Sequence, residues 1–101
     1  MNVFNINEKR TIIAILIAIM EADEIIDTHE MNFLDDVIMS FEMTESEMDI
    51  IEDIDLNMAI SVFKNFDTFK KETAIKCFLD MAKCDGYIDP RELDIINRLG
   101  S

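Results

Sequence analysis

Six acidic residues fall into two copies of one pattern, Asp-x-x-Ile-Asp-x-x-Glu: Asp23, Asp27 and Glu30 early in the chain, and Asp85, Asp89 and Glu92 late in it. Carboxylates are hard oxygen donors, suited to calcium or magnesium rather than zinc. The second copy, Cys84 to Leu93, has part of the spacing of a calcium loop. An EF-hand places a carboxylate fifth, glycine sixth, an aliphatic residue eighth and glutamate twelfth. Asp85, Gly86, Ile88 and Glu92 fall on those places, with Asp89 ninth. The first and third places, which also need oxygen donors, hold Met81 and Lys83 in this copy and Ile19 and Glu21 in the other. Neither loop alone supplies a cage of six to eight oxygens, so an EF-hand is excluded.

Helix capping accounts for two acids in each copy. In Asp89-Pro90-Arg91-Glu92, an N-cap, a proline at the first helical position and a glutamate reaching back make a helix start. Asp27 and Glu30 offer the same, Gly86 suits a left-handed turn after the preceding helix, and Ile26 and Ile88 are placed to staple the hairpins. Asp23 and Asp85 remain unaccounted for, because a carboxylate is unfavourable at a helix C-terminus unless another charge offsets it. A cation shared with Glu30 or Glu92 is one such offset, and six carboxylates converge if the hairpins pack side by side.

The elements that must position these acids are all helical. Asn7 caps a first helix over about 8–22 and Asp27 a second over about 28–41. Thr44, with Glu47 as capping-box partner, opens a third to about residue 53. Asp55 caps a fourth over about 56–65, Asp67 or Thr68 a fifth to about 84, and Pro90 begins a sixth that reaches about Leu99. In the fifth, Ala74, Ile75, Phe78, Leu79 and Met81 or Ala82 keep core-facing spacing. Displacing the chain by 62 residues lays Ile13, Leu16 and Ile17 over Ile75, Phe78 and Leu79, and the two acidic patterns over each other. The expected fold is therefore all-α: one domain over 1–101, a single compact bundle of about six helices built from two pseudo-repeated helix–loop–helix hairpins, about 8–41 and 68–99, with the intervening helices at about 45–65. Glu24 stands where the second unit has Gly86.

Composition narrows the function. Twenty-two acidic residues against nine basic ones give a formal charge of −13, which repels phosphate backbones and argues against nucleic acid as a partner. The apolar run Ile12–Met20 is nine residues long, against about 20 for a membrane span, and leads into Glu21-Ala22-Asp23-Glu24 with no small-residue cleavage pattern. It reads as the central helix of a bundle in a cytoplasmic protein without direct membrane insertion. Cys77 and Cys84 lie two turns apart on one helix, too far for a disulfide, and read as reduced small hydrophobes.

An apolar helix ending in Ala/Cys-Asp-Gly-x-Ile, then a glutamate opening the next helix, resembles the tellurite-resistance TerB family, including the TerB-like N-terminal domain of a membrane-anchored DnaJ-type co-chaperone. Met81–Leu93 carries the resemblance, and Ile19–Met31 repeats it in weaker form. It implies an acidic helical domain of bacterial stress or tellurite-resistance systems that works beside membrane partners. The implied metal residues are those matching the motif: Asp23, Asp27, Glu30, Asp85, Asp89 and Glu92.

Catalysis is not expected. Ser40, Ser46 and Ser61 lack a neighbouring motif, and the lone His29 belongs to a first helical turn in solvent. The functional expectation is a monomeric or weakly associating domain that binds a divalent cation, calcium or magnesium, through its paired loops. The alternative is a protein–protein interaction module whose acidic loops are only caps. Phe63, Phe66 and Phe69 read as ordinary core before exposed patch, and Met39, Met43 and Met48 as gap-filling core before adaptable surface. The terminal Gly-Ser leaves room for the chain to continue into another domain.

Overall fold

A helix that is apolar on every side is stable only if other elements enclose it. In the computed structural model, which describes residues 4–22, 28–84, 86 and 89–100, that helix is α1 (Ile6–Glu21). Its Ile12, Ile13, Ile15, Leu16 and Ile19 are at most 1% exposed. Burying an aliphatic side chain of this size contributes about 1.5–3 kcal/mol. The other helices all pack on α1: α2 (Thr28–Ser40), α3 (Glu45–Glu52), α4 (Leu56–Phe63), α5 (Thr68–Lys83) and α6 (Pro90–Leu99). Packing of α2 on α5, α5 on α6 and α6 on α4 sets their order around it. The described residues contain no strand, so the chain is the all-helical globule its periodicity predicts. Its radius of gyration of 12.4 Å is that of one domain of about 100 residues.

The helix starts keep the 62-residue offset of the sequence. Both α1 and α5 are 16 residues long, capped by Asn5 and Asp67, and α2 and α6 begin at the matching Thr28 and Pro90. Lys70 Nζ donates to both carboxylate oxygens of Glu8 at 3.0 Å, and these two residues stand at the same step of the offset.

Local chemistry moves some boundaries. The cap of α1 is Asn5 rather than Asn7: Asn5 Oδ1 accepts from the Glu8 N–H at 2.9 Å, and Glu8 Oε1 accepts from the Asn5 N–H at 2.8 Å. A capping box needs an acid three residues after the cap, and Asn7 is followed at that distance by Arg10. Instead, Asn7 Oδ1 accepts from Arg10, and the Asn7 carbonyl accepts from the buried Thr11 hydroxyl at 2.9 Å. Thr44 caps α3 as expected, accepting from the Glu47 N–H, but Glu47 turns its carboxylate to Arg10 Nε. Asp55 and Asp67 cap α4 and α5. Helix α2 ends in a left-handed Glu42 (φ 57), where Met43 N–H bonds Ile38 O and Glu42 N–H bonds Met39 O. That is a Schellman closure with glutamate where glycine is usual.

The aromatic core runs through Phe41, Phe4, Phe66, Phe63 and Phe78, with successive ring centroids 5.2–6.2 Å apart. Phe63 and Phe66 are thus core residues, whereas Phe69 is 61% exposed. Both Met81 and Ala82 are buried, and Ile75 and Leu79 are half-buried against them. Met43 and Met48 pack on the core, but Met39 stands 76% exposed.

The cap assignment is testable by urea unfolding. Asn5→Ala should cost about 1 kcal/mol, the usual effect of deleting an N-cap, while Asn7→Ala should stay within about 0.5 kcal/mol. Equal losses at both positions would contradict the Asn5 box.

Candidate functional site

The acidic loops join α1 to α2 and α5 to α6, and the described residues give most detail for the second. Asp89 Oδ1 accepts from the Arg91 N–H at 2.8 Å, and Glu92 Oε1 accepts from the Asp89 N–H at 3.4 Å, closing the capping box with Pro90 at the first helical position. Gly86 adopts φ 85 and its N–H bonds Lys83 O at 2.8 Å, the left-handed turn expected there. No other heavy atom lies within 4 Å of the Cβ that a larger residue would add at Gly86, so backbone conformation rather than crowding favours glycine.

Arg91 does more than extend the helix. Its Nε and Nη2 donate to Asp89 Oδ1 and Oδ2 at 3.1 and 3.2 Å, so both carboxylate oxygens carry a guanidinium. These bonds hold the Asp89 carboxyl below the ordinary carboxylate range, side-chain bond first and backbone bond second. A cation recruiting Asp89 has to displace Arg91, whose side chain is 56% exposed.

Of the six predicted metal residues, Glu30, Asp89 and Glu92 lie among the described residues, while Asp23, Asp27 and Asp85 lie outside them, as do the staple residues Ile26 and Ile88. Among the described residues no group of three or more acidic, histidine or cysteine side chains is gathered to hold a metal. Glu30 and Glu92 share one distinctive property. Each is the third residue of its helix, α2 or α6, and each is 2% exposed. Position in the sequence marks both as box partners; burial to this degree is set by packing. Ile19 and Met81, which stand at the first loop positions, are fully buried, as their place on the core stripe requires.

The lone His29 is exposed in the first turn of α2, and both cysteines are half-buried thiols outside any disulfide. Burial, with a smaller contribution from Asp80, pushes the Cys77 thiol up to about 11, so at neutral pH it is an apolar neutral group. It belongs to a feature the sequence did not announce, an apolar groove of about 260 Å³ between α2 and α5. The buried Ile12, Ala74, Phe4 and Phe41 form its floor, and the half-buried Phe33, Val37, Thr73 and Cys77 its sides. Past Phe33 and Cys77 the groove continues into a hollow edged by Lys76 and Asp80. A signal existed: Phe33, Val37 and Ser40 share one stripe of α2, and Phe69, Thr73 and Cys77 one stripe of α5. No helix among the described residues is long and apolar enough to cross a membrane.

The lowered Asp89 carboxyl has a definite pH signature. A folded-state value below the unfolded value of about 3.9 stabilises the fold above that value, and the contribution is lost as pH falls through the folded value. Arg91→Ala should therefore weaken the fold at neutral pH, with the difference from wild type closing in strong acid and the Asp89 titration moving up toward about 3.9. A carboxylate titration unchanged by Arg91→Ala, read by NMR, would contradict the pairing. No protein-family model, curated protein or solved structure matches this chain.

Proposed function

We propose that this chain is a non-catalytic, TerB-like acidic domain that binds a divalent cation, calcium or magnesium, through the paired loops α1–α2 and α5–α6, in a bacterial stress or tellurite-resistance setting. The burial of Glu30 and Glu92 at equivalent helical positions carries the reading. A box glutamate can cap from the surface, so capping does not require 2% exposure, and one enclosed hard oxygen donor at the matching place in each loop is what a divalent cation held by both would use. Asp23, Asp27 and Asp85 are the residues that would bring the remaining oxygen donors to such a cation. The donor set is all oxygen, which favours a hard ion over zinc.

A second reading is favoured by a different observation. Asp89 is already committed to its cap and to Arg91, as a purely structural loop would be, and the α2–α5 groove is an apolar surface that the fold leaves open. On this reading the domain is a protein–protein interaction module, acidic outside and without a bound ion.

Calorimetric titration of chelator-stripped protein with calcium, magnesium, manganese and zinc separates the two. Binding near the micromolar range, lost in Asp85→Ala/Asp89→Ala and weakened at least about ten-fold by Glu30→Gln or Glu92→Gln, is the expected outcome. Absence of binding for all four ions would overturn the cation reading.

A further inference from the structure

The α2–α5 groove has a shape and a charge that select one class of occupant. Phe69, Thr73 and Cys77 form a stripe along α5 whose length, at 1.5 Å per residue, is about 12 Å. Phe33 and Val37 run along α2 opposite it. This matches the apolar stripe of a docked helix, whose anchor residues at i, i+4 and i+7 span about 10 Å. Phe69, 61% exposed, extends the apolar contact one turn beyond Thr73. The groove is already lined by side chains in the folded domain, so little ordering is required on this side.

The rim supplies the charge. Asp36 lines the groove, and Asp80 and Lys76 together edge its continuation. Asp35 and Glu72 stand exposed on the same two helices, beside the exposed Lys83 and the half-buried Lys71, so the acidic excess that a partner meets is that of the whole domain. Around this rim the whole chain carries −13. A second copy brings the same excess and is repelled, as are nucleic acid and anionic lipid surfaces. We propose that the groove between α2 and α5 is the docking site for an amphipathic helix of a partner protein, its apolar stripe seated on Phe33, Val37, Thr73 and Cys77 and its flanks basic. This rests on the interaction-module reading and names the partner class that reading lacks.

The test uses the whole domain and three synthetic peptides of about 18 residues. One carries leucines at helical spacing among lysines, one is its scrambled isomer, and one has glutamates for lysines. Fluorescence anisotropy reads affinity and amide chemical shifts read location. The spaced basic peptide should bind with shifts confined to α2 and α5. Val37→Glu, and separately Asp36→Lys/Asp80→Lys, should each weaken it at least about ten-fold while circular dichroism stays unchanged. Because the two variants act on different properties, one by blocking the groove and one by reversing its rim, an unfolded Val37→Glu leaves the second to decide. Equal binding of the scrambled peptide overturns the proposal, since charge alone then suffices. Shifts on the α3–α4 face overturn the groove while leaving an interaction module in place. No binding by any peptide overturns both.

Discussion

Everything in this fold depends on enclosing α1. A helix with isoleucine or leucine on every side gains its stability only when no side faces water, and five further helices close around it. That demand fixes where the chain can turn. The α1–α2 loop leads from α1 into a helix packed on it, and the α5–α6 loop joins two helices that both pack on α1; Glu30 and Glu92 begin α2 and α6 buried rather than over solvent. The groove between α2 and α5 has the same origin, because Ile12 of α1 lies in its floor. With interiors packed as densely as organic crystals, a shift in α1 is felt at the loops and the groove alike.

Against that apolar centre stands a strongly acidic exterior, and the few cations are placed where they do most. Lys70 holds Glu8 in the first turn of α1, Arg10 holds Glu47 in the first turn of α3, and Arg91 holds Asp89 at the cap of α6. Acids near helix N-termini are favourable in themselves. Pairing some of them also links helices: Glu8 joins α1 to α5 and Glu47 joins α3 to α1. The Arg91–Asp89 pair, with Arg91 56% exposed, contributes little by itself, so its importance is in fixing orientation more than in stability. The remaining acids, Asp35, Asp36, Glu72 and Asp80 among them, stay solvated on α2 and α5. They shape what can approach those helices without taking part in holding them together.

Much of this was legible in the residues. Thr44, Asp55, Asp67 and Asp89 announced helix starts because capping is a matter of short-range geometry, one oxygen reaching an N–H two or three residues on. The same locality explains the misreading at α1, where Asn5 and Asn7 are both capping residues and only the partner three positions later decides between them. Phe63, Phe66 and Phe69 share a spacing yet end in different environments. The first two lie in or just after α4 and turn inward, while Phe69 lies past the Asp67 cap on a new helix with its own phase.

The sequence by itself determined the helical content, the helix starts, the repeated hairpin offset, the buried α1 and the acidic surface. These follow from periodicity, short-range hydrogen bonding and a count of charges. Only the tertiary structure decided that Glu30 and Glu92 are buried, that Glu8 meets Lys70, that Arg91 occupies Asp89, and that an apolar groove opens between α2 and α5. Except for the Arg91–Asp89 choice of partner, each depends on how close two helices approach, a distance set by every side chain packed between them and encoded in no single stretch of chain.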